Sequence, residues 1–136
     1  MSLLICTGYV KGELLPDGPM DPVRQRILDY VESFPLEKIL IRDAFEIRPF
    51  LPLKSDVEIV GAWYTACVFR AAEICVTSGI LVRINPALTL GPADYVFDIP
   101  TAAKRQWLSD SFRACDFEVK EDESGVLTVN YRNSHV

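Results

Sequence analysis

No segment constrains the fold of this chain more than Ser55 to Gly79, which reads SDVEIVGAWYTACVFRAAEICVTSG. Ser55-Asp56-Val57-Glu58 has the form of a capping box, in which a hydroxyl and a carboxylate satisfy the orphan amides of a helix start. Gly79 is the residue best able to take the left-handed conformation that ends a helix. Wound at about 100° per residue, Glu58, Thr65, Arg70, Glu73 and Thr77 fall on one narrow stripe. Val57, Ile59, Val60, Trp63, Tyr64, Val68, Phe69, Ile74 and Val76 cover the rest. A helix that is apolar over most of its circumference is buried from several sides. The stretch therefore predicts the central helix of the fold, with a thin exposed stripe bearing Arg70 against Glu58 and Glu73. A second parse breaks it near Gly61-Ala62, giving one helix over 56–60 and another over 65–78.

The chain around it has 136 residues and a net charge of −5. That length fits a single domain able to bury a core without cross-links. The acidic balance opposes nonspecific attraction to nucleic-acid phosphates and anionic membranes. It suits a soluble surface, and the carboxylates are too scattered to imitate DNA. Cys6, Cys67, Cys75 and Cys115 form no CxxC pair, and His135 is the one histidine. The clustered ligands that a structural zinc site needs are missing, so no metal or cofactor is expected. The N-terminus lacks a signal-peptide pattern. No run reaches the roughly 18 apolar residues of a membrane span. The expected compartment is the reducing cytoplasm.

Along the chain, Leu3–Val10 reads as a short strand or extended arm, and residues 14–19 as a turn built on Pro16 and Asp17-Gly18. Asp21-Pro22 supplies an N-cap and a proline at the first helical position. Val23, Ile27, Leu28, Val31 and Phe34 then recur at helical spacing as far as about Ser33, with Arg24, Gln25, Asp29 and Glu32 outward. Pro35 stops this helix. In 36–47, Ile39-Leu40-Ile41 suits a short strand and 42–47 a short helix, and one helix across the segment is the other reading. Residues 48–54, RPFLPLK, form a loop because of two prolines. Residues 80–84 and 94–99 read as two strands of an antiparallel ribbon whose tip is the loop NPALTLGPA. Thr101 caps a helix from 102 to about 113, with Trp107, Leu108 and Phe112 inward and Lys104, Arg105 and Asp110 outward. Residues 116–120 and 126–132 form a last hairpin. The whole is one domain, 1–136, with a core at 21–99 and a helix–hairpin extension at 101–132 that starts after Pro100.

In order, these elements are helix, short strand, short helix, long helix, strand, loop, strand. That order, with ILDYVE at 27–32 leading to IRDAF at 41–45, and AEICVTSGILVR at 72–83 as helix end, Gly stop and strand, resembles the winged helix-turn-helix superfamily. The resemblance covers about residues 21–99. It implies an α+β fold: a winged-helix-like core with an N-terminal strand or arm and a C-terminal helix plus β-hairpin. It also implies a non-enzymatic DNA-binding or transcription-regulating protein, a dimer, whose third helix enters the major groove. Arg42, Arg48, Lys54 and Arg70 are then the DNA-binding candidates.

Base edges are read by hydrogen bonds from polar and basic side chains. Here the exposed stripe offers Arg70 alone, and the loop NPALTLGPA carries no Lys or Arg. The alternative expectation is therefore an acidic module that binds another protein, or a second copy of itself, through apolar loops. Phe50 and Leu51 in one loop, and Leu88 and Leu90 in the other, are its candidates. Enzyme chemistry is not expected. His135 is the penultimate residue, and no G-x-S-x-G, P-loop or G-x-G-x-x-G is present. Trp63, Tyr64 and Phe69 read as core aromatic residues, with an apolar pocket as the other reading.

Overall fold

The computed structural model describes residues 3–10, 13–14, 22–53, 55–91 and 99–131. The strands are β1 (Leu3–Thr7), β2 (Tyr9–Val10), β3 (Glu13–Leu14), β4 (Lys38–Leu40), β5 (Val57–Ala62), β6 (Val82–Leu90), β7 (Phe117–Glu121) and β8 (Leu127–Tyr131). Between them lie α1 (Pro22–Ser33), a 3-10 helix (Ala44–Phe50), α2 (Cys67–Thr77) and α3 (Thr101–Ala114). β2 and β3 form a small antiparallel ribbon, and the other strands build a six-stranded sheet in the order β4-β1-β5-β6-β8-β7. β4, β1, β5 and β6 are mutually parallel; β8 is antiparallel to both β6 and β7. The chain is thus a mixed helix-and-strand protein, as its sequence implies.

The segment 55–79 is where expectation and structure part. It is not one helix. Val57–Ala62 is an interior strand, and only Cys67–Thr77 is helical. Val57 and Ile59 enter the core on one face of the sheet, Val60 and Ala62 the core on the other. A strand covered on both faces reads as a continuous apolar run, and so does a helix buried from several sides, so the winding argument could not separate them. The break falls next to Gly61-Ala62, where the second parse placed it, but the first piece is a strand. The expected capping box does not form; the Glu58 carboxylate instead accepts a hydrogen bond from the Tyr30 hydroxyl of α1. Gly79 does end the helix, with φ +83°.

Gly61 is required by packing. Its φ is +114°, and a Cβ there would lie 2.2 Å from the Thr7 carbonyl oxygen of β1. The side chain of Thr7 in turn donates to the Ala62 carbonyl at 3.1 Å.

Two hydrophobic cores flank the sheet. On one face α1 sets Ile27 and Val31 against Leu4, Cys6, Val60, Ala62, Leu88 and Leu90. On the other, α2, the 3-10 helix and α3 cover Ile5, Val57, Ile59, Val82, Ile84 and Val129. Arg24 and Lys104 are corrections to the outward faces assigned above. Both are buried. The Arg24 guanidinium donates to the Leu14 carbonyl, and the Lys104 ammonium donates to the Thr89 carbonyl at 2.7 Å.

The wing is also replaced. β6 continues to Leu90, through the proline expected to open a loop. Its pairing to β5 jumps from Ile59↔Ile84 to Gly61↔Thr89. That bulge is where a residue without an amide proton fits a strand interior. The expected strand over 94–99 lies, apart from Ile99, outside the described residues. Among the described residues, parallel strands joined by crossover helices stand where the winged-helix reading placed three helices and a wing. The C-terminal helix and hairpin form as expected, yet they extend the main sheet through the β6–β8 pairing.

Candidate functional site

The apolar candidates separate by burial. Leu88 and Leu90 are buried in the core under α1, so they are not an interaction loop. The physical reason is the strand: side chains alternate along β6, and these leucines face inward. Leu51 is half-buried against the opposite core. Phe50 is 51% exposed, at the end of the 3-10 helix.

The basic candidates do not share one helix face. Arg70 lies on α2, with its guanidinium 2.9 Å from the Glu73 carboxylate. Arg42 precedes the 3-10 helix, and its backbone amide donates to Glu46 at 2.9 Å. The Arg48 guanidinium lies 5.4 Å from the centre of the Phe45 ring. Lys54 lies outside the described residues. The segment on which major-groove reading depended, 55–79, is divided between β5 and α2.

What the structure brings together is an edge. β4 is the outermost strand, paired to β1 on one side. The Glu37 carbonyl accepts from the Leu4 amide and the Ile41 amide donates to the Cys6 carbonyl. By the alternation of strand geometry, the N–H and C=O groups of Lys38 and Leu40 point the other way, where no described strand lies. Leu36, Leu40 and Phe50 are large apolar residues exposed around this edge. Beside it, on the 3-10 helix face, Leu3, Glu37, Lys38, Ile39, Phe50 and Leu53 line a groove of about 450 Å³.

Edge strands are commonly guarded by lysines and other charges. Lys38 does not guard this one. Its ammonium donates to the Val31 carbonyl at 2.8 Å and approaches the Glu32 carbonyl at 3.4 Å, closing the end of α1. The opposite edge, β7, carries Glu118, Lys120 and Glu121, with an exposed Lys120–Glu118 ion pair at 3.5 Å. The β7 edge is charged along its length, whereas the β4 edge exposes Leu36 and Leu40 together with Glu37 and Lys38. Sequence reasoning picked out Phe50 but missed Leu40, because Ile39-Leu40-Ile41 gives no sign of which strand ends up outermost.

No family model, no curated protein and no solved structure matches this chain.

Proposed function

We propose that this chain is a protein-interaction module that associates by strand addition at β4, and that its occupant is a second copy of itself. The observation that supports this reading is the outer edge of β4, with no described strand paired to it and with Leu36 and Leu40 exposed, beside the Phe50 groove. An open row of backbone donors and acceptors recognises an extended chain, with side-chain pockets adding selectivity. A two-fold axis through Ile39 sets Lys38 opposite Leu40 of the second copy. Those residues all direct their backbone groups outward, so each such pair exchanges both N–H···O bonds in an antiparallel ladder. On the 3-10 helix face Ile39 meets its copy, flanked by Phe50 and Leu53. The contact is isologous and closes on itself.

The DNA-binding reading has less support. Arg70 is engaged by Glu73, the net charge is −5, and the recognition helix is divided between a strand and a short helix.

Sedimentation velocity over a concentration series tests the proposal. The wild-type chain is expected to dimerise. Leu40→Pro removes an outward amide without touching the β1 ladder, so it should give a monomer with an unchanged circular dichroism spectrum. Phe50→Ser should weaken the dimer. A wild-type chain that stays monomeric throughout, or a Leu40→Pro variant that dimerises equally well, overturns it.

A further inference from the structure

The connections leaving β1 and β5 run in opposite directions across the sheet. β1 passes through α1 to β4 on one side, and β5 passes through α2 to β6 on the other. In open α/β sheets, ligands bind outside the carboxyl ends of the strands at such a divergence. The divergence falls between β1 and β5; the residues following β4, one strand beyond β1, Asp43 to Phe45, and those following β5, Thr65 to Cys67 with Phe69 and Arg70, line a cleft of about 320 Å³. That volume is at the lower end of the range of small-molecule sites.

The lining defines a chemistry. Phe45 is 53% exposed and forms one wall. Phe69 forms another and is held from behind: it stacks on Phe112 with centroids 4.9 Å apart and meets Trp107 edge-on at 5.6 Å. Arg70 supplies the cation. One terminal nitrogen of its guanidinium is bound to Glu73, and a guanidinium has further donors in a fork that matches a carboxylate. The acids nearby are occupied by backbone amides. Asp43 accepts from the Phe45 amide at 2.9 Å, and Glu46 from the Asp43 amide at 2.6 Å and the Arg42 amide at 2.9 Å.

We infer that this cleft binds a small aromatic acid, its ring between Phe45 and Phe69 and its carboxylate on Arg70. A cationic ligand would face the guanidinium at close range, and a dinucleotide exceeds the space. The site lies at the carboxyl ends of the strands, apart from the outward edge of β4, and does not rest on the strand-pairing reading.

The test uses the full chain, ¹⁵N-labelled, titrated with sodium benzoate and separately with benzylamine, and followed by amide chemical shifts. Benzoate is expected to give saturable shifts confined to residues 43–46 and 65–70, and benzylamine none. Arg70→Gln, at an exposed position, should keep the spectrum elsewhere and lower the benzoate affinity at least about tenfold. No saturable shift, shifts mapping elsewhere, or equal affinity for the two probes or for Arg70→Gln would each overturn the assignment.

Discussion

Gly61 shows how much one residue can carry in a sheet this closely packed. Any side chain there must displace the backbone of β1 and also hold a positive φ. Gly61→Ala should therefore destabilise the fold by about 3 kcal/mol, combining overpacking with a left-handed backbone. Urea denaturation measures this, and a loss below about 1 kcal/mol would mean that β1 and β5 move apart freely. The cysteines give a second prediction at this scale. All four are free thiols, with Cys6 and Cys75 buried and Cys67 and Cys115 half-exposed. Burial pushes the Cys6 and Cys75 thiols up to about 12. The thiolate is the reactive form and must also be reached, so a disulfide reagent at mild pH should label half-exposed Cys67 and Cys115 in the native protein, the latter slowed because burial and then the Glu73 carboxylate raise its thiol, and reach Cys6 and Cys75 only after unfolding. Rapid native labelling of Cys75 would show that α2 opens. Cys6 gained its burial only when β1 became an interior strand.

Among the elements, the 3-10 helix owes its start to Asp43. The Asp43 carboxylate accepts from the Phe45 amide while Glu46 reaches back to the Asp43 amide, a reciprocal capping box. Asp43→Ala should cost about 1 kcal/mol, in the usual range for an N-cap. Hydrogen exchange should quicken across 44–50 and leave α2 unchanged; unaltered exchange there would show that packing of Ala44 and Ile47, rather than the cap, holds the helix. Caps read from the sequence were less reliable than prolines: the box at Ser55 caps no helix, and α3 begins at Thr101 behind Pro100 with no side-chain cap. Pro22 and Pro35 bracket α1 over Pro22–Ser33, and the hairpin at 117–131 lies where alternation put it. The failures have two causes. Val57–Ala62 is covered on both faces, so it shows little polar side from which to read a period. In Val82–Leu90, where Arg83, Asn85 and Ala87 stay half-exposed, Pro86 looks like a loop signal, although a bulge absorbs it.

At the scale of the whole molecule, α3, β7 and β8 complete the sheet. β8 pairs with β6, and Phe112, Leu127 and Val129 belong to the same core as α2. A chain ending at Pro100 should consequently lose cooperative unfolding and amide-shift dispersion; a well-dispersed spectrum would make 101–131 a separable addition. Alkaline pH acts on both cores. Cys6 and Cys75 ionise near 12 when folded against an ordinary value of 9, and burial followed by the Glu58 carboxylate raises Tyr30 to about 12. The unfolded chain loses these protons first, so the stabilisation is full below about pH 9 and falls as pH rises towards 12. Urea midpoints across that range should decline, and Cys75→Ala should flatten the decline. The sequence by itself determined the mixed helix-and-strand class, α1, the Gly79 stop, α3 and the last hairpin, because prolines, glycine stops and one-sided periodicity are written in neighbouring residues. Tertiary structure alone decided that Ser55 to Gly79 divides into an interior strand and a helix, that Leu88 and Leu90 are core, and that Leu40 and Phe50 lie on an open edge. Strand order and two-sided burial depend on pairings between residues far apart in the chain, and no local pattern encodes which partner a strand will find.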